Sequence, residues 1–264
     1  MEIFHYKFLL NPFIVGILIS IIAGLLSFFI ILRKLSFLVV GISHSALAGI
    51  ALGFIFNINP YITTFLFCLI TGFFIGKITK MGNIEYDTSI GIFFSFTMAI
   101  AIFLIYLGKI KINLISFLFG SIMGISNFNL YFTIAIFILF LIVYFLIFKS
   151  LIFITFDEDV AKVSGINVEL IDSFFLLMVS SIIVISLKLI GIVLTSAFLI
   201  LPASFSFNIS KSYRSIILLS IIFAIISFII GFYLSFFYDI PTGATIVFIS
   251  TIMYFFSLLI KALS

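Results

Sequence analysis

Long apolar runs, parted by short polar or Pro/Gly-marked breaks, fill almost the whole chain. They lie near residues 12–32, 36–56, 60–79, 88–108, 129–149, 170–187, 190–207, 213–235 and 241–261. Most approach the ~20 residues that carry a helix across a ~30 Å hydrocarbon core at ~1.5 Å per residue. Asn11-Pro12, Asn59-Pro60 and Ile240-Pro241 put proline at helix starts, where its missing N–H costs nothing. The stretch 170–207 reads either as two short spans or as one helix plus a re-entrant piece, so the count is eight or nine. Residues 111–126 are apolar but too short and Gly-punctuated for a span. They suit either a re-entrant turn packed against protein or an amphipathic surface helix. The N-terminal MEIFHYKFLL shows no small-residue cleavage pattern and reads as the start of the first helix. The expected fold is an all-α polytopic bundle of 8–9 transmembrane helices, a single transmembrane domain over 1–264.

Composition agrees. Hydrophobic residues make up 65% and charged residues 8%, against about 25% charged in soluble domains, and mean hydropathy is +1.51. Such a chain has no hydrated surface to offer and must face lipid. The net charge of +4 is not a nucleic-acid footprint, because the 13 Lys and Arg sit between the apolar runs. With nine spans and the N-terminus outside, Arg33, Lys34, Lys77, Lys80, Lys149, Lys162, Lys211, Arg214 and Lys261 fall on the cytoplasmic side. Lys7, Lys109, Lys111 and Lys188 fall outside. The excess inside obeys the positive-inside rule and places the C-terminus in the cytoplasm. Cys68, the one cysteine, lies in an apolar run and reads as a small core residue.

Candidate chemistry is concentrated in a few segments. In the second run Gly41, Ser45, Gly49 and Gly53 recur every four residues, a stripe that lets another helix approach closely. His44 lies beside it. A histidine in a span needs partners and marks a functional site by default, and neutral imidazole is a common metal ligand. A satisfied histidine bonded to a carbonyl or hydroxyl is the bland alternative. His5 lies near the membrane surface and carries less weight. Asp157, Glu158 and Asp159 open a short helical pattern that Gly165 closes, as capping and the helix dipole favour. This segment is either a docking helix or an ordinary solvated loop. Gly191 and Pro202 interrupt the run 187–207, and Thr195 and Ser196 either satisfy freed carbonyls or line a pathway.

The stretch Arg33-Lys34-Leu35-Ser36 through Ser43-His44-Ser45-Ala46 resembles the basic-then-Gly-Asp-…-Ser-His-Ala signature of zinc, manganese and iron permeases of the ABC superfamily. Four further blocks follow in the family's order. Glu85–Ile92 resembles its acidic-Asp-Thr-Ala-Ile-Gly element, and Asp157–Val168 its cytoplasmic coupling segment. Leu187–Ala203 resembles its Lys-Leu-Val-Gly-…-Leu-Leu-Pro-Ala element, and Pro241-Thr242-Gly243 also matches. The resemblance implies a permease subunit of the cell membrane, part of an ATP-driven importer for Zn, Mn or Fe. It implies a path involving His44, Ser43, Asp87, Thr195 and Ser196, and a coupling segment at about 155–169 that uses Asp157, Glu158, Asp159, Ala161 and Gly165. The implied partners are a cytoplasmic ABC ATPase, an extracytoplasmic metal-binding protein, a second permease copy and membrane lipid. No permanent cofactor is implied, and the divalent metal is cargo.

The chain departs from the pattern at one place. Where the family has Asp four residues before His, this chain has Val40, and Val39 replaces the preceding Gly. Three explanations stand: two His44 of a homodimer converge, another residue replaces the Asp, or the substrate differs. The alternatives to a metal importer are a stand-alone secondary transporter or an ABC permease for a non-metal solute. An enzyme is disfavoured: Ser43, His44 and Ser45 point to different helix faces, and no Gly-x-Ser-x-Gly elbow occurs. Nor does any Gly-x-x-x-x-Gly-Lys-Ser/Thr phosphate loop, so ATP hydrolysis is expected on a separate chain.

Overall fold

In a bilayer each backbone polar group must be satisfied within its own segment, which leaves the helix as the form for these runs. A computed structural model describes residues 7–82, 86–110, 118–120, 125–187 and 189–263. Among them are ten helices and no strand: α1 (Lys7–Leu32), α2 (Ser36–Phe56), α3 (Pro60–Gly82), α4 (Tyr86–Leu107), α5 (Asn127–Phe156), α6 (Glu158–Val163), α7 (Val168–Ser186), α8 (Ile192–Ile209), α9 (Tyr213–Tyr238) and α10 (Thr242–Leu263). Eight are long and apolar enough to cross a membrane. The stretch 170–207 forms two helices, α7 and α8, and the 18 residues of α8 reach about 27 Å, close to the thickness of the hydrocarbon core. Of the 111–126 segment only 118–120, 125 and 126 are described, so its re-entrant or surface character lies outside the described residues, as does His5.

Two boundaries differ from the sequence expectation. Pro12 sits inside α1 and not at its start. The ring removes only the bond to the carbonyl one turn earlier, and Leu9, 1% exposed, packs the extra turn onto the bundle. The fifth helix is also longer than its expected span 129–149. Ser126 caps it by accepting from Asn129 N at 3.4 Å, and its 30 residues run about 45 Å, well past the membrane core.

Helices α1, α2 and α7 form the interior, while α3, α4, α5 and α10 keep most of their surface outward. Lipid supplies no hydrophobic drive between helices, so close packing at small residues does the work. A Cβ on Gly49 would come 2.5 Å from the Thr64 Cα of α3, and one on Gly231 of α9 would come 2.6 Å from the Ile246 Cα of α10. Pro202 interrupts the ladder of α8, and Ser27 of α1 bonds the backbone on either side of it. Its hydroxyl accepts from Ala203 N at 2.8 Å and donates to Ile200 O at 3.3 Å. At the end of the bundle remote from α6, three backbone segments cross. Gly120 and Gly191 both have positive φ, and added Cβ atoms there and at Gly243 would strike the carbonyls of Leu189, Leu118 and Ile190 respectively. Only glycine permits that crossing.

Candidate functional site

His44 is the ninth residue of the 21-residue α2, about 12 Å from its start and therefore near mid-span. Its Nδ1 lies 2.9 Å from the Val40 carbonyl one turn back. A carbonyl only accepts, so Nδ1 carries the proton and Nε2 keeps its lone pair free for a ligand. The ring is half-buried and meets Phe94 of α4 edge-on, with centroids 4.9 Å apart. Along another side of α4, Asp87 and Ser95 are exposed, and Gly91 between them is half-buried. A Cβ added to Gly91 would touch nothing within 4 Å. Spaced i, i+4, i+8, these three share one side of the helix. A polar strip open to lipid is unfavourable. Sequence reading noted Gly91 only as part of the Glu85–Ile92 block and missed Ser95; the spacing from Asp87 was the available signal.

The remaining residues singled out by sequence are dispersed. Asp87 begins α4, seven residues and about 10 Å below Phe94, so it stands at the mouth of the bundle and not beside the imidazole. Ser43 is fully buried, and its Oγ has no partner among the described residues. Thr195 is buried in the first turn of α8 and donates to Gly191 O at 2.6 Å; Ser196 follows it. Of the small-residue stripe, Gly49 and Gly53 abut α3 at Thr64, Thr63 and Pro60, while Gly41 abuts Ile90 of α4. Ser45 Oγ donates to Ile42 O at 2.7 Å and lies 3.8 Å from the buried Cys68 Sγ of α3. No cluster of three His, Cys, Asp or Glu side chains able to hold a metal occurs among the described residues.

At the α6 end a cleft of about 490 Å³ opens, lined by Arg33, Lys34, Asp87, Glu158 and Asp172 among others. Arg33 Nη2 donates to Asp172 Oδ1 of α7 at 2.7 Å, and its guanidinium lies over the Phe175 ring at 5.4 Å. This pair ties the α1–α2 turn, and hence the base of the His44 helix, to α7. It was not foreseen; a lone acid early in an apolar run was its only trace.

The short helix α6 is closed at both ends. Asp157 Oδ1 accepts from Val160 N at 3.0 Å. At the other end Ile166 N bonds Ala161 O, Gly165 N bonds Lys162 O, and Gly165 takes φ +82°, a Schellman stop. Asn167 then caps α7 through Leu170 N at 3.1 Å. Lys162 pairs with Glu158 at 2.8 Å, and that hydrogen bond holds its ammonium above the ordinary lysine range. Ala161 is fully buried, whereas Val163 is 90% exposed. The result is a rigid, charged helix with an apolar edge turned outward.

An all-helical bundle with eight apolar helices of membrane-crossing length is a multi-pass membrane protein. Residues 5–261 match the ABC 3 transport family, and the chain belongs to that family. It is 31% identical over 255 residues to the manganese transport system membrane protein MntC of Listeria monocytogenes, covering 97% of this chain and 91% of that one. It is 32% identical over 255 residues to the manganese import system permease protein ScaB of Streptococcus gordonii, covering 97% and 92%. Identity to the high-affinity zinc uptake system membrane protein ZnuB of Haemophilus influenzae is 28% over 256 residues, covering 96% and 97%. Among solved structures, PsaBC from Streptococcus pneumoniae in complex with Fab aligns at a TM-score of 0.86 and 30% identity, over 96% of this chain and 91% of that one. The chain is therefore a transport subunit with the permease fold.

Proposed function

We propose that this chain is the membrane-spanning permease of an ATP-driven importer for divalent metal ions, with Zn, Mn and Fe as the candidate cargo. The observation that carries the reading is His44: an imidazole near mid-span, half-buried, with Nε2 held free by the Nδ1–Val40 hydrogen bond. Relatives named for manganese and zinc transport support the same class. His44 offers the cargo a nitrogen at mid-depth, and the α4 strip of Asp87, Gly91 and Ser95 gives a hydrated ion a polar wall. Ser43, Thr195 and Ser196 complete the proposed set of path residues.

The half-exposed imidazole and polar strip need cover from lipid. A second copy of the chain supplies it and brings two His44 toward one axis. The excess of basic residues on one side supports a cytoplasmic α6 and C-terminus. There Asp157, Glu158, Asp159, Ala161 and Gly165 shape and present the docking helix to a separate ABC ATPase, and the exposed Val163 is the apolar contact. Substrate arrives at the opposite face from an extracytoplasmic binding protein. Movement of α6 reaches the base of α2 through the cleft and the Arg33–Asp172 pair.

The test is ATP hydrolysis by this chain assembled with its ATPase in lipid nanodiscs. Metal-loaded binding protein is expected to stimulate turnover. Turnover that ignores the loaded binding protein contradicts the assignment.

A further inference from the structure

The donors around His44 bear on which ion passes. None of the 9 Asp and Glu residues falls in the middle of a span. Asp87 is the second residue of α4. Asp172 is the fifth of α7 and is held by Arg33 at 2.7 Å. One helical turn before His44, on the same helix face, stands the half-buried side chain of Val40. The thiol of Cys68 is turned away into the α2–α3 contact, 3.6 Å from Ile42 O and 3.8 Å from Ser45 Oγ. At the depth of His44, then, the described residues offer an imidazole nitrogen and no carboxylate. A second copy doubles the imidazole without adding an anion.

Manganese(II) stands at the weak end of the first-row affinity order and prefers carboxylate, carbonyl and water oxygen, whereas zinc and iron accept imidazole. A site of neutral donors must also dehydrate the ion without an anionic ligand to offset the loss. We propose that this permease takes borderline cations of the zinc type and discriminates against manganese, and that Val40 sets this preference. The inference rests on the importer reading above. It also separates this chain in selectivity from the relatives named for manganese.

The experiment measures binding of Zn²⁺ alone and Mn²⁺ alone to the assembled permease–ATPase complex in nanodiscs, without the binding protein, whose own selectivity would intrude. Any nitrogen site ranks zinc above manganese, so the Val40→Asp variant is the decisive comparison. It is expected to narrow the zinc-to-manganese affinity ratio by about tenfold or more by adding an anionic oxygen. In the wild type, electron paramagnetic resonance is expected to show the free Mn²⁺ signal undiminished relative to His44→Gln. This second measurement decides the matter even if Val40→Asp does not fold. His44-dependent binding of Mn²⁺ as tight as that of Zn²⁺, or an unchanged ratio in a folded Val40→Asp protein, overturns the preference while leaving the importer reading intact. If neither ion binds and His44→Gln leaves ATP-driven uptake unaltered, the ligand role of His44 falls, and the preference falls with it.

Discussion

The Val40 carbonyl decides how His44 faces its surroundings: by accepting a hydrogen bond from Nδ1–H at 2.9 Å it leaves the Nε2 lone pair free to bind a metal. Replacing the ring should therefore remove a ligand and leave the fold intact. His44→Ala is expected to lower metal uptake at least about tenfold, since losing even an outer-shell partner costs 10–100-fold at metal sites, while membrane insertion and ATPase assembly stay at wild-type level. Direct uptake in membrane vesicles checks it. His44 and the departure at Val40 were legible in the sequence, because both are statements about residue type at one helical spacing. The tautomer was not, since it depends on a backbone carbonyl that any residue supplies. Ser95 was hidden because a single hydroxyl in an apolar run carries no weight until its helix face is known to be open. The Arg33–Asp172 pair was hidden by the 139 residues between its members. Its side chains are 14% and 33% exposed, between the surface and fully buried cases, so Asp172→Asn should destabilise the protein by about 2 kcal/mol. Thermal unfolding in detergent should show this, with Arg33→Ala adding little in the double variant.

Helix ends explain more here than helix interiors. The caps of α6 and α7 at Asp157, Gly165 and Asn167 follow from residues visible in the sequence, and so do the starts of α2 and α3. The extent of α1 and α5 did not follow. Packing of the buried Leu9 extends α1, the Ser126 cap adds the first residues of α5, and the buried Leu151 and Ile154 carry α5 past Lys149. Asn127 also meets Asn11 at 2.6 Å, joining the first turn of α5 to the second turn of α1. Val163→Glu keeps the caps of α6 and replaces its exposed apolar edge, so it should uncouple the permease from its ATPase. Stimulated ATP hydrolysis is expected to fall while folding is retained, whereas Lys162→Ala, fully exposed, should change little. The raised Lys162 value means its pairing with Glu158 persists through neutral pH and fades only as pH rises past the ordinary lysine range. At the α2–α3 contact Gly49→Val drives a side chain into the Thr64 backbone. Overpacking of this kind costs about 1–3 kcal/mol or more, visible as reduced yield of folded protein in detergent.

For the whole molecule, the apolar runs set the number of helices and their order, and charge asymmetry supports their direction. What they could not reveal is which helix faces meet lipid and which meet protein. That distinction appears only once α4, which meets His44 through Phe94, is seen to leave Asp87 and Ser95 open. A second copy covering this face predicts that Ser95→Cys forms a disulfide between copies under mild oxidation. The native Cys68 is buried and should not interfere. A monomeric product would place the face against lipid and contradict the shared path. The most direct test is uptake of Zn, Mn and Fe into vesicles containing this chain, an ABC ATPase and a metal-binding protein, with and without ATP. ATP-dependent accumulation of a divalent metal is the predicted result. Equal uptake with and without ATP, or ATP turnover with no metal entering, would contradict it.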